Sequence, residues 1–191
     1  MATAMAISIP RYTVDDLEHF PEDGNRYELL DGVLLVTPQA AFPHQVVASR
    51  LALCLGNAVG IPPLAHVVGP GSVKRPPGTQ LEPDVLVIPA RFSIKLDWKR
   101  ISEFWLAIEV LSPSSRIYDR DFKRDAYLKL GVREVWIVDW RAQVVEVTKT
   151  PGHFRRARGV IRWRPPGIDP VSISLSQVFA GLEDDGAFES V

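Results

Sequence analysis

Cysteine is nearly missing from this chain: Cys54 is the single one among 191 residues. An internal disulfide and a cysteine-built metal cluster are therefore excluded, and Cys54, inside the apolar stretch Val46–Leu55, is expected as a small buried hydrophobe. Long hydrophobic runs are missing too. Leu51–Leu55 and Val85–Ile88 fall far short of the roughly 20 residues that span a bilayer. The first ten residues carry no basic start and no apolar core, so a signal peptide is not expected and a cytoplasmic location is. Net charge is only −1, with 46% hydrophobic and 24% charged residues, which excludes a disordered tail, a collagen or a coiled coil. What remains is an ordinary globular chain, expected to form one domain over residues 1–191 with its core at about 26–149.

The near-zero net charge conceals an uneven distribution. From Arg91 to Arg164 there are 17 basic and 9 acidic residues, a local surplus of eight. Such a segment lets a polyanion dock on one face, although a merely solvated surface would look the same.

Thr13–Phe20 reads as a short helix with Thr13 as N-cap and Asp16 at the capping-box position. Arg26–Leu30 and Val33–Thr37 flank Asp31-Gly32, the dipeptide of tight two-residue hairpins. A helix is expected from Pro43 to about Val59, where Val46, Val47, Leu51, Cys54, Leu55 and Ala58 recur every three or four residues. Gly60–Gly78 carries five prolines and reads as loop with at most a short strand. Val85–Ile88, Trp105–Leu111, Glu134–Asp139 and Gln143–Thr148 read as strands, the first two buried. Arg116–Leu130 reads as a helix stopped by Gly131. The tail is rich in proline and glycine from Pro165, with one apolar patch at Val171–Phe179. The pattern is α/β, a mixed sheet flanked by helices.

Two carboxylates stand where carboxylates are costly. Glu109 interrupts the apolar strand Ala107–Leu111, and Asp84 opens the Val85–Ile88 strand. Such groups are paired, hydrogen-bonded or metal-bound; Glu109 could be a structural acid paired with an arginine, or the two acids could form a Mg²⁺ site of hard oxygen ligands. On the following helix Asp119, Lys123 and Tyr127 share a face, and Tyr118, Phe122 and Ala126 form the adjoining apolar stripe. Lys123 is thereby expected at the border of core and solvent, either snorkelling against Asp119 or reaching over the strand end. His44 opens its helix and could approach the site, but reads rather as a helix-start or surface residue. His19, His66 and His153 show no ligand spacing. Ser112–Ser115 reads as strand exit and helix cap, not as a nucleophile. The five tryptophans read as core or rim packing, with Trp163 the one positioned between arginines to stack on a base.

Arg26-Tyr-Glu-Leu-Leu-Asp-Gly32, Pro43-His44, Glu82-Pro-Asp-Val-Leu86, Ile108-Glu-Val-Leu-Ser-Pro-Ser114, then Asp119, Lys123, Tyr127, Gly131-Val132 and Glu134–Asp139 form an ordered set. Together they resemble the restriction-endonuclease-like Uma2 family, a branch of the PD-(D/E)XK nuclease superfamily. The resemblance runs from about Val14 to Lys149, with Leu175–Phe179 fitting the family's closing segment. It implies a restriction-endonuclease-like central mixed β-sheet flanked by helices, with a metal site at the strand ends. Asp84 takes the place of the motif's Asp and Glu109 that of its (D/E). The motif's lysine would fall at Leu111, so Lys123 on the next helix stands in for it, and Glu28 is the additional N-terminal acid.

The reaction this implies is Mg²⁺-dependent hydrolysis of DNA phosphodiester bonds, with Mn²⁺ able to substitute. Asp84, Glu109 and the backbone carbonyl near Val110 would hold the ion, and Lys123 would orient the water or stabilise developing charge. A homodimer is expected, because two cuts in a duplex need two sites. Two other readings remain: a nucleic-acid-binding module of the same fold without catalysis, and a phosphoesterase acting on a small nucleotide.

Overall fold

The computed structural model describes residues 10–60, 63–112 and 118–182. A 3₁₀ turn at Asp16–His19 is closed by the expected capping box: Asp16 Oδ2 accepts from the Thr13 amide at 2.7 Å, and Thr13 Oγ1 accepts from the Asp16 amide at 3.3 Å. β1 (Arg26–Leu30) and β2 (Val33–Thr37) form the expected hairpin. Asp31 and Gly32 both take positive φ, 51° and 79°, the geometry that matches strand twist in a two-residue turn.

α1 (Phe42–Ala58) follows, with proline in its first turn where the missing amide costs nothing. Its buried residues His44, Val47, Ala48, Leu51 and Leu55 lie three or four apart and form one stripe. Cys54 is half-buried beside that stripe. The proline-rich stretch then yields more strand than expected: β3 (Ala65–Val68), β4 (Val73–Arg75) and β5 (Thr79–Leu81). Each has only three or four residues, too few for a periodicity to show, and β3 and β4 are edge strands, where proline neighbours are tolerated.

β6 (Val85–Pro89), β7 (Leu106–Val110) and β8 (Val135–Asp139) are buried along their whole length. They form the middle of a six-stranded sheet in the order β10-β9-β8-β7-β6-β3, with β9 at Val144–Thr150 and β10 at His153–Ala157. Among the described strands β7 and β8 alone pair in parallel, so a crossover must join them. That crossover carries a π-helical segment, Tyr118–Lys123, running into α2 (Arg124–Lys129) and ending at Gly131 with φ 93°. The expected start of this helix at Arg116 lies outside the described residues. A separate sheet, β2-β1-β5-β4, packs alongside, and β11 (Val160–Trp163) pairs with β12 (Val171–Ser174) before the short α3 (Leu175–Val178).

The central strands read as unbroken apolar runs because both faces are covered. Val85, Val87, Ile108, Val110, Trp136 and Val138 face α1 and the β11–β12 hairpin. Leu86, Ile88, Ala107, Val135 and Ile137 face α2. Glu109 alternates with Ile108 and Val110 and so belongs to the α2 face.

Candidate active site

Four elements deliver the charged residues. Arg26 and Glu28 stand two apart on β1 and therefore on one face. Asp84 leads into β6, Glu109 comes from β7, and Lys123 ends the π-helical segment. Glu28 is 0% exposed, Asp84 7%, and Glu109 and Lys123 1% each, so their charges must be answered inside the protein.

Lys123 Nζ donates to Glu28 Oε2 at 2.6 Å and lies 3.5 Å from Glu109 Oε1. Glu28 Oε1 accepts from the Glu82 amide at 2.7 Å, and the Tyr127 hydroxyl donates to Glu109 Oε1 at 2.6 Å. Asp84 forms the second half. Its Oδ1 accepts from Arg26 Nη2 at 3.1 Å, and its Oδ2 lies 3.0 Å from His44 Nε2 and accepts from the Val110 amide at 2.8 Å. Arg26 also donates to the Glu82 carbonyl at 2.9 Å. A small cleft of about 20 Å³ is lined by Arg26, Thr37, His44, Asp84, Glu109, Ser112 and Lys123, among others; that is room for about one water molecule or ion.

The electrostatics keep Asp84 ionised. Burial is the strongest single influence on it and pushes its pKa up. The His44 contact, the Arg26 charge and the Val110 amide together outweigh burial, so the net shift is downward. Arg26 is the mirror case: burial pulls its pKa down, and the negative charges of Asp84, Glu109 and Glu28 more than reverse this. Glu82, beside the cluster, is raised by burial and then by the charge of Glu28.

Sequence reasoning nominated Glu28, Asp84, Glu109, Val110 and Lys123; Asp84, Glu109 and Lys123 line the cleft, and Glu28 and Val110 stand behind it, bonded to Lys123 and to Asp84. It did not nominate three residues that complete the network: Arg26, His44 and Tyr127. His44 does stand in the first turn of its helix, but it is no surface residue: it is buried and aimed at Asp84. The one available signal was its place at the head of the apolar stripe of α1. Lys123 is not at the core–solvent border either but fully enclosed, while Phe122, expected to pack on the sheet, is 53% exposed. The π-helical geometry explains both: i→i+5 pairing takes more residues per turn, so faces counted at 3.6 residues per turn slip by about one position. Leu111, at the motif's lysine position, is a buried core residue. Asp119's side chain and Pro113–Ser115 lie outside the described residues, and Ser112 lines the cleft. Trp163 is buried at 1% exposure, so it has no face for a base.

Comparison with known proteins agrees with the fold. The family model described as "Putative restriction endonuclease" matches residues 14–187. No curated protein matches the chain. Among solved structures, a putative nuclease belonging to DUF820 from Anabaena variabilis ATCC 29413 shares the fold, with a TM-score of 0.71 at 18% identity, covering 87% of this chain and 97% of its own. With the mixed sheet, the charged cleft at its strand ends and a family match over most of its length, the chain belongs to the Uma2 family of putative restriction endonucleases.

Proposed function

We propose that the chain is a metal-dependent endonuclease that hydrolyses phosphodiester bonds of DNA. The observation that carries this reading is the buried ammonium of Lys123, held by Glu28 and Glu109 beside an ionised Asp84 in a cleft open to the surface. A cleft of about 20 Å³ cannot enclose a small nucleotide, which needs several hundred Å³. The chemistry instead suits a phosphate presented from outside by a polymer.

The donor set fits a hard divalent cation. The buried carboxylates Glu28, Asp84 and Glu109 outnumber the two fixed cations Arg26 and Lys123, and oxygen donors suit Mg²⁺ or Mn²⁺. Among the described residues no three His, Cys, Asp or Glu side chains close into a ready-made cage, but Mg²⁺ sites commonly use one or two carboxylates and complete their shell with water and substrate phosphate. Asp84, Glu109 and the Val110 carbonyl would hold the ion. When bound, it supplies polarisation of the scissile phosphate and a water of lowered pKa.

The rest of the work belongs to the chain's own groups. Arg26, His44 and the Val110 amide hold the Asp84 carboxylate in place and ionised. Glu28 keeps the Lys123 ammonium pointed into the cleft, where its protons meet the charge that develops on the phosphate oxygens. Tyr127 fixes the Glu109 carboxylate through its hydroxyl.

Calorimetric titration of Mn²⁺ into wild type and Asp84→Asn tests the site. Binding that the substitution abolishes is the expected result. Cleavage of plasmid DNA is expected to vanish in Glu109→Gln and to fall about 10²–10³-fold in Lys123→Met. Cleavage that survives Glu109→Gln unchanged overturns the assignment, and a wild type that binds DNA without ever binding Mn²⁺ is the non-catalytic module.

A further inference from the structure

The row of the sheet that contains Glu109 continues away from the cleft. Glu109 pairs with Ile137 on β8, Ile137 with Glu146 on β9, and Glu146 with Arg156 on β10. All four therefore face the α2 side. With strands about 4.8 Å apart, Glu146 lies roughly 10 Å and Arg156 roughly 14 Å from Glu109.

Glu146 is 1% exposed, and three guanidinium groups converge on it. Arg156 donates from Nε and Nη2 to Oε1 at 3.2 Å each, Arg120 Nε lies 3.4 Å from Oε2, and Arg124 Nη1 lies 3.6 Å from it. Arg120 also reaches Asp139 at 3.6 Å, and Arg124 reaches Asp125. Arg124 and Arg156 stack on Phe154, with their guanidinium carbons 4.9 and 5.5 Å from its ring centroid. Three carboxylates, Glu146, Asp139 and Asp125, thus hold the three guanidiniums in place. Each guanidinium has five donors, and those on Arg156 and Arg120 remain open to solvent, with side chains 61% and 28% exposed. The Nε atoms of Arg120 and Arg124 and Oε2 of Glu146 are buried and close no hydrogen bond, so charge holds them, and the outward-facing donors are those of the Arg156 and Arg120 guanidinium ends.

We infer that Arg120, Arg124 and Arg156, held by Glu146, form a second phosphate site that grips the DNA backbone beside the phosphate being cut. The same segment that sends Lys123 into the cleft sends Arg120 and Arg124 to this cluster, which ties the two sites into one rigid row. The inference rests on the nuclease reading above and adds to it the position of the second contact. Glu146 is a positioning residue; the arginines touch the backbone.

The test is fluorescence anisotropy of a short labelled DNA duplex with chelator present, so that binding is read without cleavage. Salt is varied between about 50 and 200 mM, a range over which phosphate contacts weaken steeply. Arg156→Ala and Arg120→Gln are each expected to bind severalfold more weakly and to lower the slope of log affinity against log salt by about 0.9. Arg156→Lys is expected to restore the slope. Arg162→Ala serves as the control, since Arg162 lines a different basic groove with Lys149, Arg155 and Arg164, on the α1 side of the sheet. Thermal melting of each variant separates lost contact from lost fold. If wild type binds and both arginine variants keep its slope, or if only Arg162→Ala weakens binding, the second site is wrong and the nuclease reading stands. If wild type shows no salt-dependent binding, both fall.

Discussion

Asp84 and Glu82 sit two residues apart, yet their surroundings drive them in opposite directions. Asp84 is held below the ordinary carboxylate range by His44, Arg26 and the Val110 amide in spite of burial, whereas burial and the Glu28 charge lift Glu82 above it. A folded-state pKa below the unfolded value of about 3.9 adds stability above that pH and loses it as pH falls through the folded value. Asp84→Asn is therefore expected to cost about 3–5 kcal/mol at neutral pH, as a broken buried pair does, and progressively less below about pH 4. Glu82 has the opposite sign: its ionisation penalises the fold above its raised pKa and vanishes below the unfolded value. Glu82→Gln should stabilise at neutral pH and do little near pH 4. Urea unfolding across pH measures both. The carboxylates were legible in the sequence because Glu109 breaks an apolar run and Asp84 abuts one. Arg26 and Tyr127 were not, since nothing local ties them to the acids, and His44 had only its place at the head of the α1 stripe; the Arg26–Asp84 bond spans 58 residues and exists only once the two sheets meet.

At the scale of elements, the connection between β3 and β4 is what presses against the strand that carries Asp84. A Cβ added at Gly69 would stand 2.7 Å from the Asp84 carbonyl oxygen, a backbone atom that cannot swing aside. Gly69→Ala should therefore cost about 1–3 kcal/mol, as overpacking does, and disturb the cleft with it. Gly56, exposed in the last turn of α1, has nothing within 4 Å of such a Cβ. There the same substitution should stabilise by roughly 0.5–1 kcal/mol, because alanine loses less chain entropy on entering a helix. Thermal melts of the two variants should shift in opposite directions. The β1–β2 hairpin, α1 and the strands β6 to β9 were legible because their periodicity and turn chemistry are strong. β10 and β11 went unread: His-Phe-Arg-Arg-Ala presents charge where apolar alternation is the usual sign of a strand, and its place at the sheet edge lets most of those side chains face water. The π-helical segment was illegible for another reason. Its sequence fits a helix, but a period of 3.6 places its faces about one position away from where the wider turn of Tyr118–Lys123 sets them.

For the whole molecule, the decisive feature is that the described residues bring Asp84, Glu109 and Lys123 together in one cleft at the end of a mixed sheet. On the proposed nuclease reading, one such cleft addresses one phosphodiester at a time, and the two strands of a duplex run in opposite directions. Cutting both in a single encounter requires a second cleft related to the first by a twofold axis, which a C₂ homodimer supplies through one self-complementary patch. A homodimer is accordingly the expected active form on DNA. On supercoiled plasmid it should yield linear product with little nicked circle. The rate of linearisation at low protein should rise with the square of chain concentration, and light scattering at concentrations well above that range should show twice the monomer mass. A chain acting alone would instead accumulate nicked circle at a rate linear in protein and linearise it only later, by an independent second hit. That outcome would leave the cleft chemistry intact while making the protein a strand-nicking monomer.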